Sequence, residues 1–130
     1  MVQSLNSVVD LVMPATSGAF ATRGNIMIGN RAIEFYNSRN PADCIQIPWD
    51  EVDRVAASVM FKGTWIPRFA VLTKSSGTFS FSARDSKRAL RAMKRYISDE
   101  RMVRSLSFLD VVRRGASNLL FNRRGPSSQV

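Results

Sequence analysis

The 130 residues and 14.5 kDa of this chain hold one domain core and a short appendage, since a domain takes about 100–150 residues. Its 45% apolar and 22% charged residues exclude a largely disordered chain, and the absence of histidine together with a single cysteine, Cys44, excludes a histidine-based nucleophile or phosphoryl relay, a thiolate metal cluster and an internal disulfide. A net charge of +9 makes nucleic acid, acidic lipid or an acidic protein face a candidate partner.

At the N-terminus no basic region precedes an apolar stretch, Asp10 interrupts the first apolar run, and no run approaches the roughly 18 apolar residues of a membrane span. With the lone cysteine, this predicts a cytoplasmic location. Seven short apolar or alternating runs follow, at 8–13, 25–28, 31–36, 43–47, 52–61, 66–73 and 78–82, which predict a mostly antiparallel sheet. Gly29-Asn30, Lys62-Gly63 and Ser76-Gly77 stand where hairpins call for positive φ. In the third run Ala32, Glu34 and Tyr36 alternate with Ile33 and Phe35, and in the seventh Phe79 and Phe81 alternate with serines. Each strand is therefore expected to bury one face, in a curled sheet or partial barrel.

The pattern changes at Ser82-Ala83-Arg84-Asp85, a capping-box spacing. Ala89, Leu90, Met93 and Ile97 then recur at helical spacing, with Lys87, Arg88, Arg91, Lys94 and Arg95 around the rest. Seven strands in series closed by one helix give an α+β fold with the element order of a pleckstrin-homology-like barrel, an analogy that carries no function by itself. Ser107-x-x-Asp110 repeats the capping pattern, and Phe108, Leu109, Val111, Val112, Ala116, Leu119 and Leu120 share one side of a second predicted helix. The expected division is a domain at 1–98, a basic amphipathic helical extension at 99–124 and a disordered tail at 125–130. Residues 1–83 carry +1 and residues 84–130 carry +8, so the charge imbalance lies in the helical third.

In that extension Arg101, Arg104, Arg113, Arg114, Arg123 and Arg124 accompany an apolar stripe containing Phe108, Val112 and Leu119. This composition suits an anionic membrane surface or the cytoplasmic face of a membrane protein, the alternative being a stripe packed on the domain with solvated arginines. Phe61, Trp65 and Ile66 surround a predicted hairpin tip and are read as a contact site or as aromatics closing the barrel end, and Trp49 is read as a core aromatic at a strand corner. Asp50, Glu51 and Asp53 could hold a metal or exchange protons, but with Arg54 beside them they read better as solvated turn charges. Gly24-x-x-x-x-Gly29 lacks the Lys-Ser/Thr of a phosphate loop, and Cys44 has no identifiable base. No catalytic residue, metal or cofactor is expected. The basic positions from Lys87 to Arg95 also suit DNA phosphates, without a paired helix or interleaved aromatics for base readout.

The segments Ile26-Met27-Ile28-Gly29, Glu34-Phe35-Tyr36-Asn37, Ile45-Gln46-Ile47-Pro48-Trp49, Phe61-Lys62-Gly63, Trp65-Ile66-Pro67-Arg68-Phe69 and Arg101-Met102-Val103-Arg104-Ser105-Leu106-Ser107-Phe108 together resemble the ManO family. Those small proteins are encoded beside mannose-class phosphotransferase transporters in Gram-positive bacteria and are described as regulators of that operon or accessory proteins of that transporter. The resemblance implies a cytoplasmic, non-catalytic protein working in mannose-class sugar uptake; with the +8 helical third and its apolar stripe, the expectation is a regulator or accessory protein that binds the transporter's membrane subunits through the basic C-terminal segment, on the inner face of the cell membrane, and adjusts uptake. The alternative is a DNA-binding regulator of the operon. The resemblance supplies no catalytic residues.

Overall fold

Runs rich in Val, Ile, Phe and Thr form the strands, and Asp, Asn, Gly and Ser clusters separate them, because branched and aromatic side chains suit a pleated, half-buried surface. The structure, a computed structural model, describes residues 3–58 and 66–105, with backbone alone at Ser105. In chain order it contains β1 (Val9–Ser17), β2 (Thr22–Gly29), β3 (Ala32–Asn37), β4 (Cys44–Pro48), a 3₁₀ turn (Trp49–Glu51), β5 (Val52–Ser58), β6 (Phe69–Thr73), β7 (Thr78–Ala83), helix α1 (Ser86–Met93), a second 3₁₀ turn (Asp99–Arg101) and β8 (Met102–Ser105). The strands form one open, curled sheet in the order β4-β3-β2-β1-β7-β6-β5-β8. Every pairing is antiparallel except that of β5 with β8.

All seven expected strands are present, with shifted ends. β1 continues past Pro14, whose missing N–H does not stop the strand from pairing Ser17 with Thr22, and β6 begins at Phe69, after Pro67. Ser76-Gly77 turns with Gly77 at φ 92° as expected. Gly29 and Asn30 have no positive φ; the glycine is required instead by space, because a Cβ there would lie 2.4 Å from the Val8 carbonyl oxygen. Lys62-Gly63 lies outside the described residues.

The concave side encloses the core, in which Ile26, Ile28, Ile33, Phe35, Val55, Phe69, Val71 and Phe81 pack with Ala89, Leu90, Met93 and Ile97. Phe81 is its centre, with ring centroids 5.9 Å from Phe35 and 5.7 Å from Phe69. Fully burying each such ring contributes about 1.5–3 kcal/mol. Ala56, Ala70 and Leu72 form a smaller buried cluster from the alternate residues of β5 and β6.

The expectation of one buried face fails for β3, where Ala32, Ile33, Glu34 and Phe35 are all buried. The reason is the N-terminal segment before β1. Its Asn6 side chain accepts hydrogen bonds from the Arg31 and Ala32 backbone N–H groups at 2.8 Å each, and Asn30 accepts from the Ser7 and Val8 N–H groups at 3.0 Å. These side chains fasten the segment to the β2–β3 turn.

The helix also begins three residues later than the Ser82 spacing implies. Asp85 is the N-cap, its carboxylate accepting from the Arg88 N–H at 3.1 Å, while Ser82 remains in β7 and donates to the Pro67 carbonyl at 2.8 Å. A carboxylate there also complements the positive helix end. After α1, residues 99–105, expected at the head of the helical extension, instead form the second 3₁₀ turn and β8, which pairs Met102–Ser105 with Val55–Ser58 in parallel. A parallel partner needs a crossover, and α1 supplies it. The predicted helix from Ser107 and the tail lie outside the described residues. Among the described residues no helix is long and apolar enough to cross a membrane.

Candidate functional site

Helix α1 buries Ser86, Ala89, Leu90 and Met93 and exposes its basic positions. Lys87, Arg91 and Lys94 stand at intervals of four and three residues, which places them on one stripe of the helix. That stripe borders a cleft of about 380 Å³ between α1 and the strands β5 and β8. Val55, Ala57, Leu90, Met102 and Ile66 give the cleft apolar surface, and Arg104 adds a fourth cation from β8. Asp99 is the one carboxylate among its described lining residues.

Two neighbouring cations, Arg95 and Arg101, are already engaged. Arg95 pairs with Asp10 at 3.4 Å, and Asp10 also accepts from the Tyr96 hydroxyl, which holds that phenol above its ordinary pKa. Tyr96 in turn stacks on Trp49 with ring centroids 5.5 Å apart, and the Trp49 indole N–H donates to the Gly29 carbonyl at 2.9 Å. Trp49 thus sits at a strand corner, half-buried against the core. Arg101 donates to the Val52 carbonyl at 3.2 Å and so braces the second 3₁₀ turn against β5. Among the described residues, Lys87, Arg91, Lys94 and Arg104 make no ion pair.

Of the expected contact residues, the cleft brings together Ile66 and Arg104, and it leaves Arg101 outside. Phe61, Trp65, Phe108, Val112, Arg113, Arg114, Leu119, Arg123 and Arg124 lie outside the described residues. Lys87, Arg91 and Lys94, whose spacing suits phosphates, stand beside an apolar floor, a combination visible only once β8 returns alongside β5. The acidic positions do not converge on a metal: Asp53 pairs with Arg54 at 3.4 Å, and Glu51 accepts from Ser75 at 3.1 Å. Among the described residues no cluster of three or more metal-ligating side chains is present.

Among the described residues Glu34 is the one carboxylate with no exposure. It accepts from the Ser4 hydroxyl at 2.6 Å, the Leu5 N–H at 2.9 Å, Asn6 at 3.0 Å and Gln46 at 2.8 Å. Burial alone would raise its pKa, but the bonds from Ser4, Leu5 and Gln46 outweigh that and hold it below the ordinary carboxylate value. A carboxylate so fully occupied is a fastening for the N-terminal segment rather than a reacting group.

The described fold is similar to two solved structures. One is the C-terminal domain of an unknown protein from Leishmania infantum, with a TM-score of 0.58, 15% identity, and coverage of 68% of this chain and 83% of that one. The other is the Vps36 N-terminal PH domain, with a TM-score of 0.50, 14% identity, and coverage of 68% and 75%. At these identities the likeness shows the fold, which is pleckstrin-homology-like. No curated protein matches the sequence. A family model matches residues 1–116, and the chain belongs to that family, the domain of unknown function DUF956.

Proposed function

We propose that this chain is a non-catalytic regulator or accessory protein of a mannose-class phosphotransferase sugar transporter. In this reading it is a cytoplasmic protein, peripheral on the inner face of the cell membrane, and adjusts uptake by docking on the transporter's membrane subunits. The transporter enters through the resemblance of the quoted segments to the ManO family. The observation that carries a docking role is the cleft, where Lys87, Arg91, Lys94 and Arg104 rim an apolar floor and make no ion pair among the described residues. Charges at such a rim speed encounter and select partners, while desolvated apolar area slows dissociation. The fitting partner surface is an acidic cytoplasmic loop with at least one large apolar side chain.

The experiment is to purify the tagged chain from membranes of cells with and without the transporter under mild detergent. Recovery of the membrane subunits, reduced by Arg91→Glu with Lys94→Glu, supports the reading. Equal recovery with both variant residues in place overturns the role of the cleft. A second reading, a DNA-binding regulator of the operon, is favoured by the same helix stripe. It requires sequence-selective promoter binding that survives near-physiological salt, because contacts to phosphates alone weaken steeply as salt rises.

A further inference from the structure

The turn between β1 and β2 carries a feature that the cleft does not explain. Phe20 is 96% exposed at its tip. Gly18, at φ 75°, anchors the turn by donating its N–H to the Ser80 carbonyl at 3.0 Å, and Ala21, at φ 50°, closes it back on the Gly18 carbonyl at 3.2 Å. The aromatic ring therefore projects from a turn fixed at its base to β7. From Gly18 to Thr22 the tip holds no charged side chain. Leaving a phenylalanine in water forfeits most of the transfer energy of one large side chain, and although a lone exposed ring is ordinary on a protein surface, this one stands over a basic groove.

Directly beneath the tip lies positive charge. The last pair of the hairpin is Ser17 with Thr22, and the next pair is Thr16 with Arg23, with Ser82 of β7 opposite Thr16 in the same row. Arg23 and Arg84 share a groove of about 560 Å³ with Thr16, Ser38 and Ser82, and no described lining residue is acidic. Among the described residues neither arginine makes an ion pair.

We propose that this hairpin is a contact for an anionic bilayer surface, with Phe20 entering the acyl boundary and Arg23 and Arg84 meeting lipid phosphates. The spacing fits. Phe20 stands two to three residues beyond the Arg23 row, at about 3.3 Å per residue, and an interfacial apolar group sits about 5–10 Å into the headgroup and acyl boundary. A bilayer fits the tip better than a protein does, because a single protruding ring with alanines on either side offers little area to a structured partner, whereas lipid closes around it without a preformed pocket. The proposal concerns a different surface from the cleft and requires no transporter.

The test uses the full chain and protein-free vesicles, either phosphatidylcholine alone or phosphatidylcholine mixed two to one with phosphatidylglycerol, at physiological salt. The chain is expected to sediment with the mixed vesicles only. Phe20→Ser should weaken that binding about tenfold, and Arg23→Glu with Arg84→Glu should weaken it by at least roughly fivefold for each charge. All three positions are exposed, so circular dichroism of the variants should match the parent. As a direct readout, an environment-sensitive dye on Phe20→Cys in a Cys44→Ser background should shift to the blue with the mixed vesicles. Vesicle binding that persists undiminished in Phe20→Ser, or a dye that does not shift while the chain sediments, overturns the proposal. A shift seen only in membranes containing a protein partner also overturns it, in favour of a protein contact. Because the vesicles contain no transporter, failure here leaves the cleft reading standing, and failure of the cleft reading leaves this one standing.

Discussion

The Leu5 backbone N–H donates to the Glu34 carboxylate at 2.9 Å, across 29 residues of sequence, and so joins the N-terminal segment to the middle of β3. A charged acceptor with four donors is stable in a buried position because each donor replaces a water it has lost. Glu34→Gln keeps the volume but replaces an acceptor oxygen with an amide that competes with its donors. Urea denaturation should show a loss of about 1–3 kcal/mol. An unchanged midpoint would show that the network does not stabilise the fold.

The same carboxylate sets a dependence on pH. Its folded pKa lies below its unfolded value, so the unfolded chain takes up the proton first as pH falls. The stabilisation is complete above the ordinary carboxylate pKa and declines as pH drops through the folded value. Stability measured from neutral to acid pH should fall less steeply in Glu34→Gln than in the parent. Parallel curves would assign the acid sensitivity to other carboxylates.

Gly29→Ala should loosen the N-terminal segment. The added Cβ would lie 2.4 Å from both the Val8 carbonyl oxygen and the Asn6 side chain, and neither can move without breaking the fastening to the β2–β3 turn. The expected result is faster proteolysis within residues 3–8 and a stability loss of about 1–3 kcal/mol. Cleavage at the parent rate would contradict the close approach.

Trp49→Phe removes the indole N–H from the Gly29 carbonyl while leaving an aromatic ring to stack on Tyr96. A loss of about 1–2 kcal/mol in urea denaturation is expected, mostly from the carbonyl left without its donor. A variant as stable as the parent would mean that water replaces the indole.

The strands were legible because Ile33, Phe35, Phe79 and Phe81 recur at period two between turn residues, and the core follows directly from that period. β8 was not. Met102-Val103-Arg104-Ser105 is too short to signal a strand, and its pairing with Val55–Ser58 arises only after α1 has carried the chain across the sheet. The cleft was half legible for the same reason: the basic spacing of Lys87, Arg91 and Lys94 is written in the helix, whereas the apolar floor is assembled from residues distant in sequence. Asn6 and Glu34 read as ordinary surface polar residues, because nothing local says that one will be covered by the segment bearing the other. Phe20 could have been noticed as an aromatic between alanines and beside Gly18, an unusual occupant of a turn.

In the proposed function, the cations rimming the cleft dock this domain on an acidic face of a mannose-class transporter. The most direct test is the affinity of the purified chain for the transporter's membrane subunits reconstituted in neutral lipid, measured for the parent and for Arg91→Glu with Lys94→Glu. Saturable binding is expected, weakening with salt and falling at least about tenfold in the variant. Binding of equal strength in parent and variant, or no binding by a folded parent, would contradict it.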